Sequence, residues 1–283
     1  MEKLVRHLND LCDAEPFHTG WYVKRLRTGE TAERHGQVVV PSASTRKISI
    51  MMAVLQAIHA GRLALAQPVT ILAKYQDNDS GTFQHLTPGF TITLRDALVM
   101  MIIVSDNTCT GTIVDLLGLD AINAWCRSVG LTGTIHRFGI PPRLPPDHPL
   151  DLVTTTTPAD TGRLLDLVLA GASEPATATR LGGTVELCRL ALDILSWQKL
   201  RSRLPSLLPL GTRVAHKTGT GSRGYMDAGI VYRGADPCFI LACYTDRVPV
   251  DLPDGTPGFA AAALLIGRLC RTTWDAWATE DAR

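Results

Sequence analysis

The order of the strand and helix signals constrains the fold of this 283-residue chain more than any other feature. Strand patterns occupy residues 20–40 and return after Gly211, whereas helical patterns fill most of the stretch between them. A single sheet that takes strands from both ends of the chain, with a helical insertion, accounts best for this order. We therefore predict two lobes, and the cleft between them is the expected place for a ligand.

The spacing of apolar residues predicts the individual elements. The predicted helices cover residues 1–14, 44–61, 93–103, 107–117, 120–129, 158–170, 185–198 and 259–277. The predicted strands cover residues 20–25, 36–40, 214–217, 226–232 and 239–244. Residues Phe138–Pro149 contain five prolines and no periodicity, which predicts a loop. An α/β sheet domain is therefore expected at residues 1–43 and 205–283, around a mainly helical domain at residues 44–204.

Composition and charge exclude several classes of function. The net charge is +1 and no basic stripe is present, so no nucleic-acid partner is expected. The apolar runs are far shorter than the ~18–20 residues that span a bilayer, and the N-terminus lacks the apolar core of a signal peptide. We expect a cytoplasmic protein without a membrane partner, although a chain whose leader had been removed would look the same.

Cysteine and lysine usage carry further information. Seven cysteines without paired spacing favour reduced, buried thiols over a disulfide framework, and no metal-binding spacing occurs. No metal and no cofactor are therefore expected. Only six of the 28 basic residues are lysines, so a lysine in this chain is expected to mark a place where arginine does not serve.

The first chemical motif is Ser44-Thr45-Arg46-Lys47, at the change from strand to helix. Residues three apart share a helix face, so Lys47 is predicted to point back at the hydroxyl of Ser44. Ser44 is predicted to lie at a helix N-terminus, which favours a developing anion. Lys47 can accept a proton only if burial or nearby positive charge keeps it partly neutral. A Ser-x-x-Lys match also arises by chance about once in a chain of this size.

Two weaker motifs follow. Ser105-Asp106-Asn107 closes an apolar run, where it can serve chemistry or simply cap a helix. His216-Lys217-Thr218-Gly219-Thr220-Gly221 ends a strand, and its glycines allow the backbone to approach a ligand closely. The alternative for this second motif is an ordinary strand and turn with a surface lysine.

In this order and at these spacings, the three motifs resemble those of the penicillin-recognising serine hydrolases, most closely the class A β-lactamases. Residues 92–108 resemble the helix that leads into the second motif, and Thr155–Pro158 resembles the run after the omega loop of that family. The resemblance covers about Gly20 to the C-terminus. It implies a β-lactamase/transpeptidase-like fold of α/β plus all-α type, with an antiparallel sheet from both termini flanked by helices and a helical insertion domain.

The resemblance also implies roles for individual residues. Ser44 is the nucleophile, Lys47 helps to remove its proton, Ser105 relays a proton to the leaving group, and Lys217 adjusts the electrostatic field. The backbone N–H groups of Ser44 and Thr220 form the oxyanion hole, and Lys217 with Thr218 binds a substrate carboxylate. The implied substrate-binding and oxyanion residues are together Asn107, Thr218, Gly219, Thr220 and Arg223.

The sequence departs from the family in the omega loop. Class A β-lactamases carry Glu-x-x-Leu-Asn there, and the glutamate activates the water that releases the acyl group. Counted back without gaps from Pro158, this motif falls on Pro141-Pro142-Arg143-Leu144-Pro145, and no glutamate occurs between Glu33 and Glu174. The usual deacylation base is therefore expected to be missing. Asp147 and His148 either replace it or are plain exposed loop residues.

Three functions remain open at this stage. The first is a serine hydrolase or acyltransferase that acts on an amide, ester or lactam, a small-molecule substrate of specialised metabolism. The second is an authentic class A β-lactamase with weak activity. The third is a non-catalytic ligand-binding protein on the same scaffold, although retention of the motif serines, lysines and asparagine argues against it. Cytosolic glutaminases also use Ser-x-x-Lys, but they lack the Lys-Thr-Gly pairing.

Overall fold

The computed structural model describes residues 1–277 of the chain. Its helices, in chain order, are α1 Glu2–Asp13, α2 Lys47–His59, α3 Leu94–Ile103, α4 Asn107–Leu117, α5 Leu119–Ser128, α6 Pro158–Gly171, α7 Pro175–Arg180, α8 Val185–Ser196 and α9 Gly258–Trp277. The strands are β1 His18–Arg25, β2 Thr31–Arg34, β3 Val40–Pro41, β4 Pro68–Thr70, β5 Thr91–Thr93, β6 Thr155–Thr156, β7 Val214–Thr220, β8 Tyr225–Arg233 and β9 Asp236–Asp246.

Five strands form one antiparallel sheet in the order β2-β1-β9-β8-β7. Strands β1 and β2 come from the N-terminal region and the other three from the C-terminal region. β1 pairs with β9 along its whole length, which places a strand of the N-terminal region beside one of the C-terminal region. The predicted fold class is confirmed: the sheet is built from both termini and a helical block is inserted between its strands. The division at residues 43/44 and 204/205 stays a prediction.

Two apolar cores lie on opposite faces of the sheet. One packs the sheet against α1 and α9, with Leu8, Trp21 and Phe239 fully buried. The other continues from the sheet into the helical block, where ten of the thirteen residues of α2 are buried. Strands β8 and β9 are therefore covered on both faces, which explains why their sequences alternate poorly between apolar and polar residues.

Helix starts agree with local capping chemistry. The side chain of Thr93 accepts a hydrogen bond from Asp96 N at the start of α3, and Thr157 caps α6 in the same way with Pro158 at the first helical position. Asp106 caps α4 through a bond from Cys109 N of 2.9 Å. This last cap matters for the site because α4 begins at Asn107.

The predictions fail at three places. The strand predicted at residues 36–40 is wrong: β2 is Thr31–Arg34, whose polar residues form a sheet edge directly after the turn at Gly29. The single helix predicted from Ser44 is instead a 3₁₀ turn, Ala43–Arg46, followed by α2. Helix α7 and the short pairs β3–β6 and β4–β5 carry too few residues for a periodic pattern and were not predicted.

Candidate active site

A cavity of about 970 Å³ opens between the end of β7, the 3₁₀ turn, the start of α4 and the proline-rich segment Phe138–Pro149, which we call the proline loop. The three motifs predicted from the sequence all reach this cavity. It is lined by Ser44, Ser105, Asn107, Thr218 and Thr220. Side chains separated by up to 176 residues in the chain therefore line one cavity, so the three motifs meet at one site.

Ser44 lies on the 3₁₀ turn and is partly exposed to the cavity. The residue before it, Ala43, has a φ of 41°, a left-handed conformation that costs a residue with a Cβ about 1–2 kcal/mol. Buried hydrogen bonds hold the turn in this shape: Thr45 Oγ1 donates to Ser42 O at 2.6 Å, and Tyr244 Oη donates to Thr45 Oγ1 at 2.8 Å. The backbone around Ser44 is thus fixed from the sheet side.

Lys47 is the first residue of α2 and is completely buried. Its Nζ lies 2.7 Å from Ser105 O, 3.1 Å from Ser105 Oγ and 2.7 Å from Asn107 Oδ1. Burial, followed by the positive charges of Lys217 and Arg46, lowers the pKa of Lys47 well below its ordinary value. A neutral amine donates its two hydrogens to the two carbonyl oxygens and keeps a lone pair for a hydroxyl.

Ser105 presents its hydroxyl to Lys47 from a left-handed backbone, with a φ of 58°. Its carbonyl accepts from Lys47 and also from Ser80 Oγ at 2.8 Å. The neighbouring Asp106 is fully buried, and its second carboxylate oxygen accepts from Thr82 N and Phe83 N, both at 2.8 Å. These bonds tie the second motif to the segment that forms one side of the cavity mouth.

Lys217 is completely buried on β7, and its Nζ donates to Thr218 O at 2.8 Å. Burial lowers the pKa of Lys217 to about 7, while the charge of Asp227 opposes the shift and that of Arg203 adds to it. The amine therefore changes its charge near neutral pH.

The end of β7 packs directly against the turn that carries Ser44. A Cβ on Gly219 would meet Met226 Cγ at 2.7 Å and the Cβ of Ala43 at 3.2 Å, so a larger residue at this position would have to displace these side chains. Thr218 precedes this contact, Thr220 follows it, and both line the cavity. The position of Gly219 in the third motif thus has a packing reason in this chain.

Two buried arginines near the site were not identified from the sequence. Arg203 donates to Gly219 O at 2.6 Å, Met226 O at 2.7 Å and Thr220 Oγ1 at 2.6 Å, which holds the end of β7 against β8. Arg46 lies within the first motif and donates to Phe138 O and to Gly139 O, the latter at 2.6 Å. Nothing in the sequence around them signals these roles, because their partners are backbone carbonyls far away in the chain.

The proline loop is tied down on both sides of the cavity. On one side Arg143 donates to Asp79 at 3.1 Å and to Asp77 at 2.8 Å. On the other side the carbonyl of His148 accepts a hydrogen bond from Arg223. The proline loop therefore connects two walls of the cavity that Ser44 also lines.

Arg223 lines the cavity, and its guanidinium is already engaged by protein groups. Its Nε and Nη2 donate to the two carboxylate oxygens of Asp246 at 2.8 and 2.6 Å, and its Nη1 donates to His148 O. A substrate carboxylate would therefore compete with Asp246 for this side chain. The predicted role of Arg223 in substrate binding stays a prediction, and its observed contacts position the proline loop.

The structure separates the two loop residues that the sequence left as alternatives for the missing base. Asp147 is exposed and does not line the cavity. His148 is buried, only 6% exposed, and lines it. Of the segment that the motif count assigns to Glu-x-x-Leu-Asn, residues 141–144 line the cavity.

No group of three or more histidine, cysteine, aspartate or glutamate side chains in residues 1–277 is arranged to hold a metal ion. All seven cysteines are buried. None of the helices in the described part of the chain is both long and apolar enough to cross a membrane.

Comparison with known proteins agrees with this geometry. Residues 3–277 match the model of a family described as the beta-lactamase enzyme family. The chain belongs to this family. Among curated proteins, none is similar enough in sequence to count as a match.

Solved structures extend the comparison of this β-lactamase-family protein. The β-lactamase from Sphaerobacter thermophilus is 26% identical, with 97% of each chain covered and a TM-score of 0.82. PBP-A is 25% identical over 98% of this chain and 96% of that one, with a TM-score of 0.81. An ancestral class A β-lactamase of Gram-negative bacteria is 26% identical over 96% of this chain and 99% of that one, with a TM-score of 0.79. The family and the fold support serine acyl-enzyme chemistry on a small molecule.

Proposed function

We propose that this protein is a serine hydrolase or acyltransferase that forms an ester between Ser44 Oγ and the acyl group of an amide, ester or lactam, and that it lacks the usual deacylating glutamate. One observation carries the proposal: a fully buried Lys47 contacts Ser105 and Asn107 at the wall of the cavity that Ser44 lines. A partly neutral amine in that position supplies the lone pair that an unactivated serine needs.

Acylation follows from these positions. The oxygen of Ser44 attacks the carbonyl carbon of the substrate, and its proton passes to Lys47 Nζ. The backbone N–H groups of Ser44 and Thr220 stabilise the negative charge on the carbonyl oxygen of the tetrahedral intermediate. Ser105 passes its proton to the leaving nitrogen or oxygen and takes up the proton held by Lys47 Nζ, 3.1 Å away. The bond to the leaving group breaks, and the acyl group stays on Ser44.

Residues that line the cavity, with Lys217 and Gly219 beside them on β7, supply the other substrate contacts in this proposal. Asn107 contacts a substrate amide, and Lys217 with Thr218 binds a carboxylate while the amine is charged. Gly219 lets the backbone end of β7 approach the substrate. Arg223 adds a contact only for a substrate that can displace Asp246 from its guanidinium. A cytoplasmic location and a role in specialised metabolism stay predictions from the sequence.

The proline loop supports the second half of the proposal. No glutamate lies between Glu33 and Glu174, and proline has no group that can take a proton. The acyl group therefore leaves Ser44 slowly, passes to an acceptor other than water, or is released with the help of another base.

Intact-protein mass spectrometry tests the acyl-enzyme. The protein is incubated with penicillin G, since a variant of PBP-A has been crystallised as its acyl-enzyme complex, and separately with a p-nitrophenyl ester. We expect an adduct that is absent in Ser44→Ala and present in Ser222→Ala, which removes an exposed hydroxyl at the cavity wall. Folded protein that forms no adduct with either donor would contradict acyl transfer and favour a ligand-binding protein.

An authentic β-lactamase is the second candidate, and the family and the similar class A structures favour it. Turnover of a chromogenic cephalosporin separates the two. Many turnovers per enzyme molecule, lost in Ser44→Ala, would support a β-lactamase. A single stoichiometric burst followed by a persistent adduct would support the proposed enzyme with impaired hydrolysis.

A further inference from the structure

We propose that His148 is the general base that removes the proton from the acyl acceptor when the acyl group leaves Ser44, with Nε2 as the atom that accepts it. This inference rests on the proposed function and adds the residue that takes over the task of the missing glutamate. The acceptor is water or another molecule with an O–H or N–H group.

His148 lies at the wall of the active-site cavity. His148 is 94% buried and lines the cavity that Ser44 also lines, on the proline loop that faces it. Its neighbour Asp147 is exposed and away from the cavity. Among the side chains that the proline loop contributes to the cavity, His148 is the one with a nitrogen lone pair that can accept a proton, since the others are Phe138, Pro141, Pro142, Arg143 and Leu144.

A hydrogen bond fixes the tautomer of the His148 ring. His148 Nδ1 lies 2.9 Å from Pro149 O. A carbonyl oxygen only accepts, so Nδ1 carries the hydrogen and Nε2 of the neutral ring carries the lone pair. The tautomer is therefore the one that a base at Nε2 requires.

His148 differs from the two other buried histidines of the described chain in the exposure of its second ring nitrogen. His136 bonds to Ser49 and His216 to Asp227, and in each the second ring nitrogen is sealed in the interior without a partner. In residues 1–277 no hydrogen bond is formed by Nε2 of His148, yet this atom is not among the sealed ones. Nε2 is thus accessible, in a residue that lines the cavity.

Arg223 holds His148 in place through its backbone carbonyl. Arg223 donates to the carbonyl of His148 and is itself fixed by two bonds to Asp246. Arg223 also lies in the turn between β7, which carries Thr218 and Thr220, and β8. The base is therefore positioned against the same strand end that forms part of the acyl site, as a nucleophile and its base require.

In the proposed step, the acyl group passes from Ser44 to the acceptor. The O–H or N–H of the acceptor gives its proton to His148 Nε2 while its lone pair attacks the ester carbon. The tetrahedral intermediate collapses, the bond between that carbon and Ser44 Oγ breaks, and Oγ takes up a proton from solvent. The imidazolium then returns a proton to solvent, so free Ser44 and neutral His148 are restored.

Release of a preformed adduct tests this role. The acyl-enzyme is formed with penicillin G, excess donor is removed, and the loss of the adduct is followed by mass spectrometry. His148→Asn keeps an N–H donor for Pro149 O but has no basic nitrogen, so we expect normal acylation and release about 100-fold slower, within the range of general-base catalysis. Asp147→Asn, the matched loss of a neighbouring carboxylate, should release at the wild-type rate.

Two further measurements keep the outcome clear. His148→Gln preserves most of the ring volume, so release must slow in whichever of the two variants still acylates at the wild-type rate. Hydroxylamine, a nucleophile that needs no base, should remove the adduct equally fast from both variants and wild type. Wild-type release rates in both His148 variants, or a loss of release in Asp147→Asn instead, would overturn the assignment. Failure of the wild type to form an adduct would instead contradict the proposed function.

Discussion

At the scale of the residue, the proposed chemistry depends on Lys47, an amine that burial keeps partly neutral. Lys47→Arg replaces this amine by a guanidinium, which stays charged and cannot accept a proton. We therefore expect Lys47→Arg to acylate as slowly as Lys47→Ala, at least about 100-fold below wild type, measured as the rate of adduct formation on Ser44. Lys24→Arg, which changes a lysine paired with Asp166 away from the site, should acylate normally. An active Lys47→Arg would show that charge alone suffices.

The proposed binding of a carboxylate by Lys217 should depend on pH. The Lys217 pKa of about 7 means that the amine is charged below neutral pH and uncharged above it in the free protein. The second-order acylation rate with a carboxylate-bearing penicillin should therefore fall as the pH rises through 7, because an attractive charge is lost. With an uncharged ester this decline should be absent, so the ratio of the two rates is the measurement. A ratio that stays constant between pH 6 and 9 would argue against carboxylate binding by Lys217.

Sequence motifs predicted some residues of the site and not others. Lys47, Ser105 and Asn107 were predicted as a group because their order and spacing match a family, and their side chains do meet. Arg46 and Arg203 were not, because they bond to carbonyl groups, and carbonyl groups are present at every residue. Long-range contacts to the backbone leave no pattern in the residue types around them.

At the scale of the element, Arg46 connects the helix of the nucleophile to the proline loop. It is fully buried and bonds to the carbonyls of Phe138 and Gly139. Arg46→Met leaves these acceptors buried without donors, which we expect to cost about 3 kcal/mol of unfolding free energy. Thermal and urea unfolding measure the loss. Arg143→Met removes only exposed ion pairs from the same loop and should change the melting temperature little; equal effects of the two variants would contradict this account.

The contact between β7 and the turn of Ser44 predicts a separate effect. A methyl group on Gly219 would press on Met226 and Ala43, so Gly219→Ala should displace Ser44 from the end of β7. We expect acylation to slow roughly 10-fold or more, since small displacements of reacting groups have large effects on rate. Gly183→Ala, whose new Cβ would meet no atom closer than 3.9 Å, is the control. Unchanged acylation in Gly219→Ala would mean that the close approach has no catalytic consequence.

Elements could be predicted where the local chemistry is strong. Helix α4 was predicted with its observed bounds because Asp106 caps it and apolar residues follow at helical spacing. Strand β2 was missed because Thr31–Arg34 alternates no apolar residues, and it is a strand only through its pairing with β1. The apolar Val38 and Val39 were misleading, since both are exposed.

At the scale of the whole molecule, the order of strands and helices in the sequence predicts the architecture. Strand patterns occur near both ends of the chain and helical patterns between them, which favours one sheet built from both ends with a helical insertion. This order does not predict how the two cores meet at the site. The cavity exists because β7, the 3₁₀ turn, α4 and the proline loop come together, and each is held there by contacts from a different part of the chain. The resemblance to a family supplied that information, and it is weakest in the proline loop, where the sequence departs.

The proline loop therefore offers the last test. If the fold is retained and only the deacylating group has been lost, then restoring the family motif with Pro141→Glu and Pro145→Asn should accelerate release of the penicillin adduct. General-base catalysis sets the expected gain at about 100-fold, against a small loss of stability from the two prolines. Pro146→Glu places the same carboxylate in the same loop outside the motif and should release at the parental rate. Equal release from both glutamate variants would mean that the proline loop follows a different path from the omega loop of the family, so that the family's geometry for water activation does not transfer to this chain.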